Sequence, residues 1–318
     1  MAKSRGRKQR KPQQRVIRRK PESAPRSPSL LAGPRTPYVM RGNMPMTARI
    51  LEQAPPDALV ELLLPNLWAG IADESGAPAN ICVDSCLTLK YAYGQLGIRS
   101  ELALTDLVVR EANGDSVLHG TPEPSWNDDG TVFHGHCILL LPDSGRHVDA
   151  TVEQFAQVRD QGGGPLIGRS VTSSEELPPG QLLPPGTRLA VQRSEIVMLY
   201  TLSHLSVADV IDGKPWITEN AHRHYRAGVN LASLTLQALR MPEVIGRARQ
   251  SPHPRLRALL RAVGDAPQEV DDERNVRFAL HGPHGPQPLR LDEIPLPATT
   301  PAPYPRPLPV EATGTNSP

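Results

Sequence analysis

The chain has 318 residues and a formal net charge of +2, with 38% hydrophobic and 4% aromatic residues, 35 Pro and 25 Gly. Segments this rich in proline and glycine bury too little apolar surface to offset their ordering entropy, which excludes a core running the whole length. No apolar run approaches the roughly 18 residues of a membrane span, and three cysteines make neither a disulfide framework nor a four-Cys zinc site.

Residues 1–45 hold thirteen Lys and Arg against one acid, Glu22, with six prolines from Pro21 to Pro45. The run RGRKQRKPQQRVIRRK has no apolar period and reads as a disordered tail, and no apolar stretch behind it makes a secretory signal. The remainder carries 22 bases and 32 acids, so an acidic body bears a basic arm. Such an arm suits loose contact with nucleic acid or another polyanion through phosphate neutralisation, although it lacks the interleaved aromatics of a single-strand binder.

Next come short helical pieces over 51–70, with breaks expected at Pro55, Pro56 and Pro65. Residues 81–96, ICVDSCLTLKYAYGQL, are the strongest helix of the front half, with Asn80 as its cap and Gly97 at its end. Three strands are expected over 101–111, 131–141 and 146–155, separated by the turn-rich EANGD, PEPSWNDDG and PDSG. A surface loop over 160–187, a strand over 187–202, two helices within 218–261 and a strand over 275–280 follow. The last segment, 282–318, has eleven prolines, and its PAPYPRPLP run favours extended polyproline II in a disordered tail. The expected organisation is an α+β domain over 46–205, a helical extension over 206–281 packed on it, and two disordered ends.

The chemistry concentrates between Asn80 and Asp149. A cysteine at a helix start suits a nucleophile, because unpaired N–H groups and the helix dipole favour the thiolate. Cys82 is the second helical residue if Asn80 is the cap. Cys86, one turn on, continues into Leu89 and Tyr93 and reads as packing. A cysteine nucleophile needs a base, and the base an orienting group. By the period of two, His136 shares a strand face with His134, Ile138 and Leu140, while Cys137 faces the other way with Phe133 and Leu139. If Asp143 and Ser144 turn the chain, Ile138 lies opposite Asp149, which makes Asp149 a diagonal neighbour of His136. His134 is the rival base. A zinc reading that uses Cys82, Cys86, His134, His136 and Cys137 fits no known ligand spacing. His222 and His224, two apart on a helix, read as a solvated face.

Cysteine at a helix start, histidine on a strand and aspartate on the next strand is an order that resembles the transglutaminase-like branch of papain-like folds. Arylamine N-acetyltransferases share it. NICVDSCLTLKYAYGQLGIRSEL is similar to the nucleophile helix and first strand, and FHGHCILLLPDSGRHVDATVEQF to the His–strand–turn–Asp segment, over residues 80–155. The resemblance implies a papain-like core with the nucleophile helix packed on an antiparallel sheet. It implies Cys82 as nucleophile, His136 as general base and acid, and Asp149 as orienter of the imidazole. Ile81 stands where transglutaminases commonly carry Gly, and Cys137 where a Trp follows the His; no Gln precedes Cys82 at close range. The oxyanion donors are then the Cys82 backbone N–H with Asn80 or Trp68. The Arg-rich approach to the cysteine typical of the acetyltransferases is absent. The expectation is a cytoplasmic, cofactor-free cysteine enzyme that attacks a peptide or other amide-bearing substrate through a thioester. Its alternative is a non-catalytic binding or scaffold protein held by its arm to a polyanion.

Overall fold

Proline placement sets the first two helices. α1 (Met44–Gln53) stops at the Pro55–Pro56 pair and α2 (Leu59–Glu74) starts beyond it. The computed structural model describes residues 44–74, 81–169, 171–172, 175–176, 180 and 183–307; the expected basic tail before Met44 and the stretch 308–318 lie outside them. Against expectation, α2 runs straight through Pro65. Pro65 has no N–H for the Glu61 carbonyl four residues back, and the Tyr93 hydroxyl donates to that carbonyl instead, at 2.8 Å.

α3 (Cys82–Gln95) is the central helix. After it come β1 (Glu101–Arg110), β2 (Ser116–His119), the β3 (Ser125–Trp126) and β4 (Phe133–His134) hairpin, β5 (His136–Leu141) and β6 (Arg146–Asp149). A one-turn α4 (Ala156–Arg159) leads to β7 (Leu166–Arg169), the β8 (Val171–Thr172) and β9 (Glu175–Glu176) hairpin, β10 (Arg188–Arg193) and β11 (Ile196–Leu202). The main sheet is antiparallel, in the order β10-β11-β1-β5-β6-β7, with β2 beside the second half of β1. At the end of β10, the Arg193 guanidinium donates to the carbonyls of Gly162, Gly164 and Pro165, just ahead of β7. The two edge strands are thereby drawn together and the sheet is nearly closed.

Alternation along β5 divides the two apolar clusters of the described residues. Cys137, Leu139 and Leu141 join the cluster under the helices, whereas Ile138 and Leu140 fill the curled sheet with Leu107, Val109 and Tyr200. Several expected strands are corrected. The run 131–141 splits at Gly135, β4 pairing with β3 and β5 with β1. The run 146–155 ends at Asp149 and gives way to a 3₁₀ turn over Val152–Gln154. The expected loop 160–187 contains β7, whose four residues behind three glycines are too short to show a period. The stretch 187–202 is a hairpin, turned at Ser194 with φ of 50°.

α5 (Val207–Val210), α6 (Pro215–Leu239), α7 (Pro242–Ala248) and α8 (Pro254–Val263) follow, one more helix over 218–261 than expected. α6 crosses α3 so closely that a Cβ on Gly228 would lie 2.5 Å from Tyr91 Cβ and 2.8 Å from the Thr88 carbonyl oxygen. The helical extension therefore shares its apolar cluster with α2 and α3. β12 (Gln268–Val270), β13 (Val276–Gly282) and β14 (Gly285–Arg290) form a second, small sheet.

From 282 to 307 the expected disordered tail is built into the fold. Pro286 and Pro288 are accommodated because β14 is an edge strand. Leu291 and Ile294 are buried in the helix-side cluster. The Tyr304 hydroxyl accepts from Ser100 N–H (3.1 Å) and donates to the Ser100 carbonyl (2.9 Å), its ring pressed on Gly94. Among the described residues, no helix is long and apolar enough to cross a membrane.

Candidate active site

Cys82 is the first residue of α3, and Ile81, not Asn80, occupies the cap position. Asn80 lies outside the described residues. Ile81 offers no capping side chain, and the first helical hydrogen bond runs from Ser85 N–H to the Ile81 carbonyl. The N–H groups of Cys82, Val83 and Asp84 therefore have no helical acceptor, and the positive end of the dipole falls on the Cys82 sulfur.

The β5–β6 register brings the other two residues together. Leu139 faces Val148 and Leu140 faces His147, so the same register sets Ile138 opposite Asp149. His136, at the first position of β5, is 1% exposed and Asp149 is fully buried. His136 Nε2 and Asp149 Oδ2 are 2.7 Å apart. Three more donors converge on the carboxylate. Tyr200 Oη donates to Oδ2 (3.0 Å), while Thr151 N–H (3.0 Å) and Thr151 Oγ1 (3.3 Å) reach Oδ1.

Burial by itself would neutralise these groups, but their mutual charges and hydrogen bonds prevail. Burial pushes the Asp149 carboxyl up, yet the His136 charge and the converging donors hold it below the usual carboxylate range. Burial likewise opposes a charged His136, and the Asp149 charge and hydrogen bond, with Cys82 beside it, hold the imidazole well above the ordinary histidine value. The Cys82 thiol is pushed down to about 5, first by a hydrogen bond from the Cys137 thiol and then, against burial, by the hydrogen bond and charge of His136. His147, pushed down to about 4 by burial, stays neutral beside Tyr200.

Cys82 opens on a cleft of about 470 Å³ walled by Trp126, Phe133, Phe155 and Trp216, with Asp84, His134 and Gln154 on its lining. Phe155 stands edge-on to the His136 ring at 5.4 Å. Trp126 is pinned by its indole N–H to the Val210 carbonyl (2.7 Å) and lies 6.1 Å from Trp216. The arrangement places the lowered thiol of Cys82 on the lining of an aromatic-walled cleft, with the buried His136–Asp149 pair behind it.

His134, the rival base, is exposed on β4 at the cleft rim, on the far side of Gly135 from His136. Trp68 is buried in α2 within the helix-side cluster and is not among the residues lining the cleft. Cys86 packs beneath, its thiol donating to the Cys137 carbonyl at 3.5 Å. Among the described residues, no three His, Cys, Asp or Glu side chains are grouped to hold a metal ion.

Four contributors escaped the sequence. Tyr200 is 51 positions beyond Asp149, and a phenol on an alternating strand carries no chemical signature. Cys137, on the strand face away from His136, is the largest influence lowering the Cys82 thiol. Gln154 follows the histidine instead of preceding the cysteine, and its Nε2 is 3.5 Å from His136 Nδ1. His224 was expected on a solvated face with His222, yet it is 2% exposed and its Nε2 is 2.7 Å from Asp84 Oδ1. No family model, no curated protein and no solved structure matches the chain.

Proposed function

We propose that this chain is a cysteine enzyme of transglutaminase-like, papain-like architecture that attacks the carbonyl of an amide and passes through a thioester. The observation that carries the reading is the buried His136–Asp149 pair, 2.7 Å apart, beside a helix-start cysteine pushed down to about 5. Asp149 occupies His136 Nε2, which leaves Nδ1 for Cys82. The resting state is then a thiolate–imidazolium pair.

The Cys82 sulfur attacks the carbonyl carbon, and the carbonyl π electrons move onto oxygen. The Cys82 backbone N–H at the start of α3 and the Gln154 amide, both on the cleft, are the donors this reading assigns to that developing charge. As the C–N bond breaks, His136 delivers its Nδ1 proton to the leaving nitrogen and the thioester remains. His136, now neutral, takes a proton from water or an incoming amine, which attacks the thioester carbon and expels the Cys82 thiolate. Asp149 keeps the imidazole in one orientation throughout, and Tyr200 with Thr151 keeps Asp149 in place. The Trp126, Phe133 and Trp216 wall suits a peptide chain passing over the thiolate.

The test is the rate of iodoacetamide alkylation at Cys82, followed by incubation of the protein with peptide amides and detection of released ammonia or amine. The reading requires fast alkylation at pH 6 that His136→Ala slows by tenfold or more. Alkylation no faster than that of a free thiol, and unchanged in His136→Ala, would refute it. In that case the binding or scaffold alternative takes its place.

A further inference from the structure

Away from Cys82, α6 and the segment leaving the small sheet enclose a second cleft, of about 270 Å³. Four guanidiniums line it, those of Arg223, Arg226, Arg290 and Arg306, against one lining carboxylate, Glu273. Two of them are anchored. Arg223 donates to Asp84 Oδ1 at 3.0 Å, and Arg290 donates to Asp292 at 2.9 Å and lies 3.2 Å from Glu293. Arg226 and Arg306 are exposed and have no carboxylate partner among the described residues. Glu273 accepts from the Asn275 amide at 3.3 Å, so the four guanidiniums still outnumber the lining carboxylate by three.

Arg223 and Arg226 stand three residues apart on α6, so both reach the same side of the helix. A guanidinium offers a planar fork of donors that pairs two oxygens of one anion, and it keeps its charge at every working pH. Two uncompensated forks match the two charges of a phosphate monoester, and the two anchored ones fix the walls around it. The volume suits a phosphoryl group with a small organic substituent, not a polymer. We infer that this cleft binds the phosphate group of a small phosphate ester. The inference is independent of the reading of Cys82.

The probe is inorganic phosphate added to the full chain, with thermal unfolding recorded at pH 8 and matched ionic strength in phosphate, chloride and acetate. Wild type is expected to show a saturable rise of Tm in phosphate alone. Arg226→Gln and Arg306→Gln each move half-saturation up by about tenfold or more. Arg226→Lys, which keeps the charge and loses the fork, falls between them and wild type. Arg226 and Arg306 are exposed and unpaired, so Tm of both Gln variants in chloride should equal that of wild type. The basic arm also attracts phosphate, so an equal rise in wild type and both Gln variants would overturn the assignment. So would no rise in wild type, or an equal rise in acetate.

Discussion

At Cys82 the decisive quantity is which proton leaves first. The Cys82 thiol is pushed down to about 5 and His136 is held well above its ordinary value, so a charged pair is expected between those limits. Alkylation of Cys82 is therefore expected to rise with pH through about 5 and then hold level across neutrality. In His136→Ala that limb should move toward the free-thiol value near 8.5, as read from a pH–rate profile. Asp149 has a linked effect on stability. Its folded carboxyl is depressed, so its contribution is present above the ordinary carboxylate pKa and is lost as pH falls through the folded value. His136 acts with the opposite sign, contributing fully below the ordinary histidine value and losing that contribution as pH rises through its raised one. Asp149→Asn should therefore flatten the acid limb of a Tm-against-pH curve below pH 4, and the comparison with wild type checks it. Residue type and spacing alone pointed to Cys82, His136 and Asp149. They did not point to Tyr200, whose contact depends on where β11 lies across the curled sheet.

Elements fix those residues through contacts that span long stretches of chain. The bond from Tyr93 to the Glu61 carbonyl lets α2 continue through Pro65. Tyr93→Phe leaves that carbonyl buried and unpaired, at a cost of about 1–3 kcal/mol. In a Pro65→Ala background a backbone N–H returns to serve the carbonyl, so the same Tyr93→Phe change should cost measurably less. Urea denaturation of the four proteins in this double-mutant cycle reads the difference. Gly228→Ala tests the α3–α6 contact. Its Cβ would meet Tyr91 and the Thr88 carbonyl well inside van der Waals distance, and overpacking of this kind costs about 1–3 kcal/mol in the same assay. The helix over 81–96 and the strand over 101–111 were readable because each carries its own period and stop signals. The break of 131–141 was not, because β4 leaves the main sheet to pair with β3, a choice made by partners and not by local pattern.

Over the whole molecule, one apolar cluster runs from Ile50 in α1 to Ile294 beyond the small sheet. The chain's far end thus supports the helix that carries Cys82. Ile294→Ala is expected to destabilise the protein by about 2–5 kcal/mol, the range for a buried Ile-to-Ala deletion, with the loss read from thermal or urea unfolding. Tyr304→Ala should also lower Tm, because it removes both hydrogen bonds to Ser100 and the ring that covers Gly94. Composition misjudged this end, since eleven prolines resemble a tail. Prolines on an edge strand and in an extended strap keep no ladder hydrogen bond waiting, so they fit a folded surface as readily as a free end.

Local physics was enough for part of this protein. A thiol at a helix start, a two-residue period around His136 and the turn after Pro142 are short-range features, and they carried the helix of Cys82 and the pairing of β5 with β6 from the sequence alone. Tertiary structure decided the remainder: the near closure of the sheet by Arg193, the Tyr200 hydroxyl on Asp149 and the docking of Tyr304. Each joins residues whose local patterns carry no trace of the partner, because hydrogen bonds and packing across the fold depend on where whole elements come to rest.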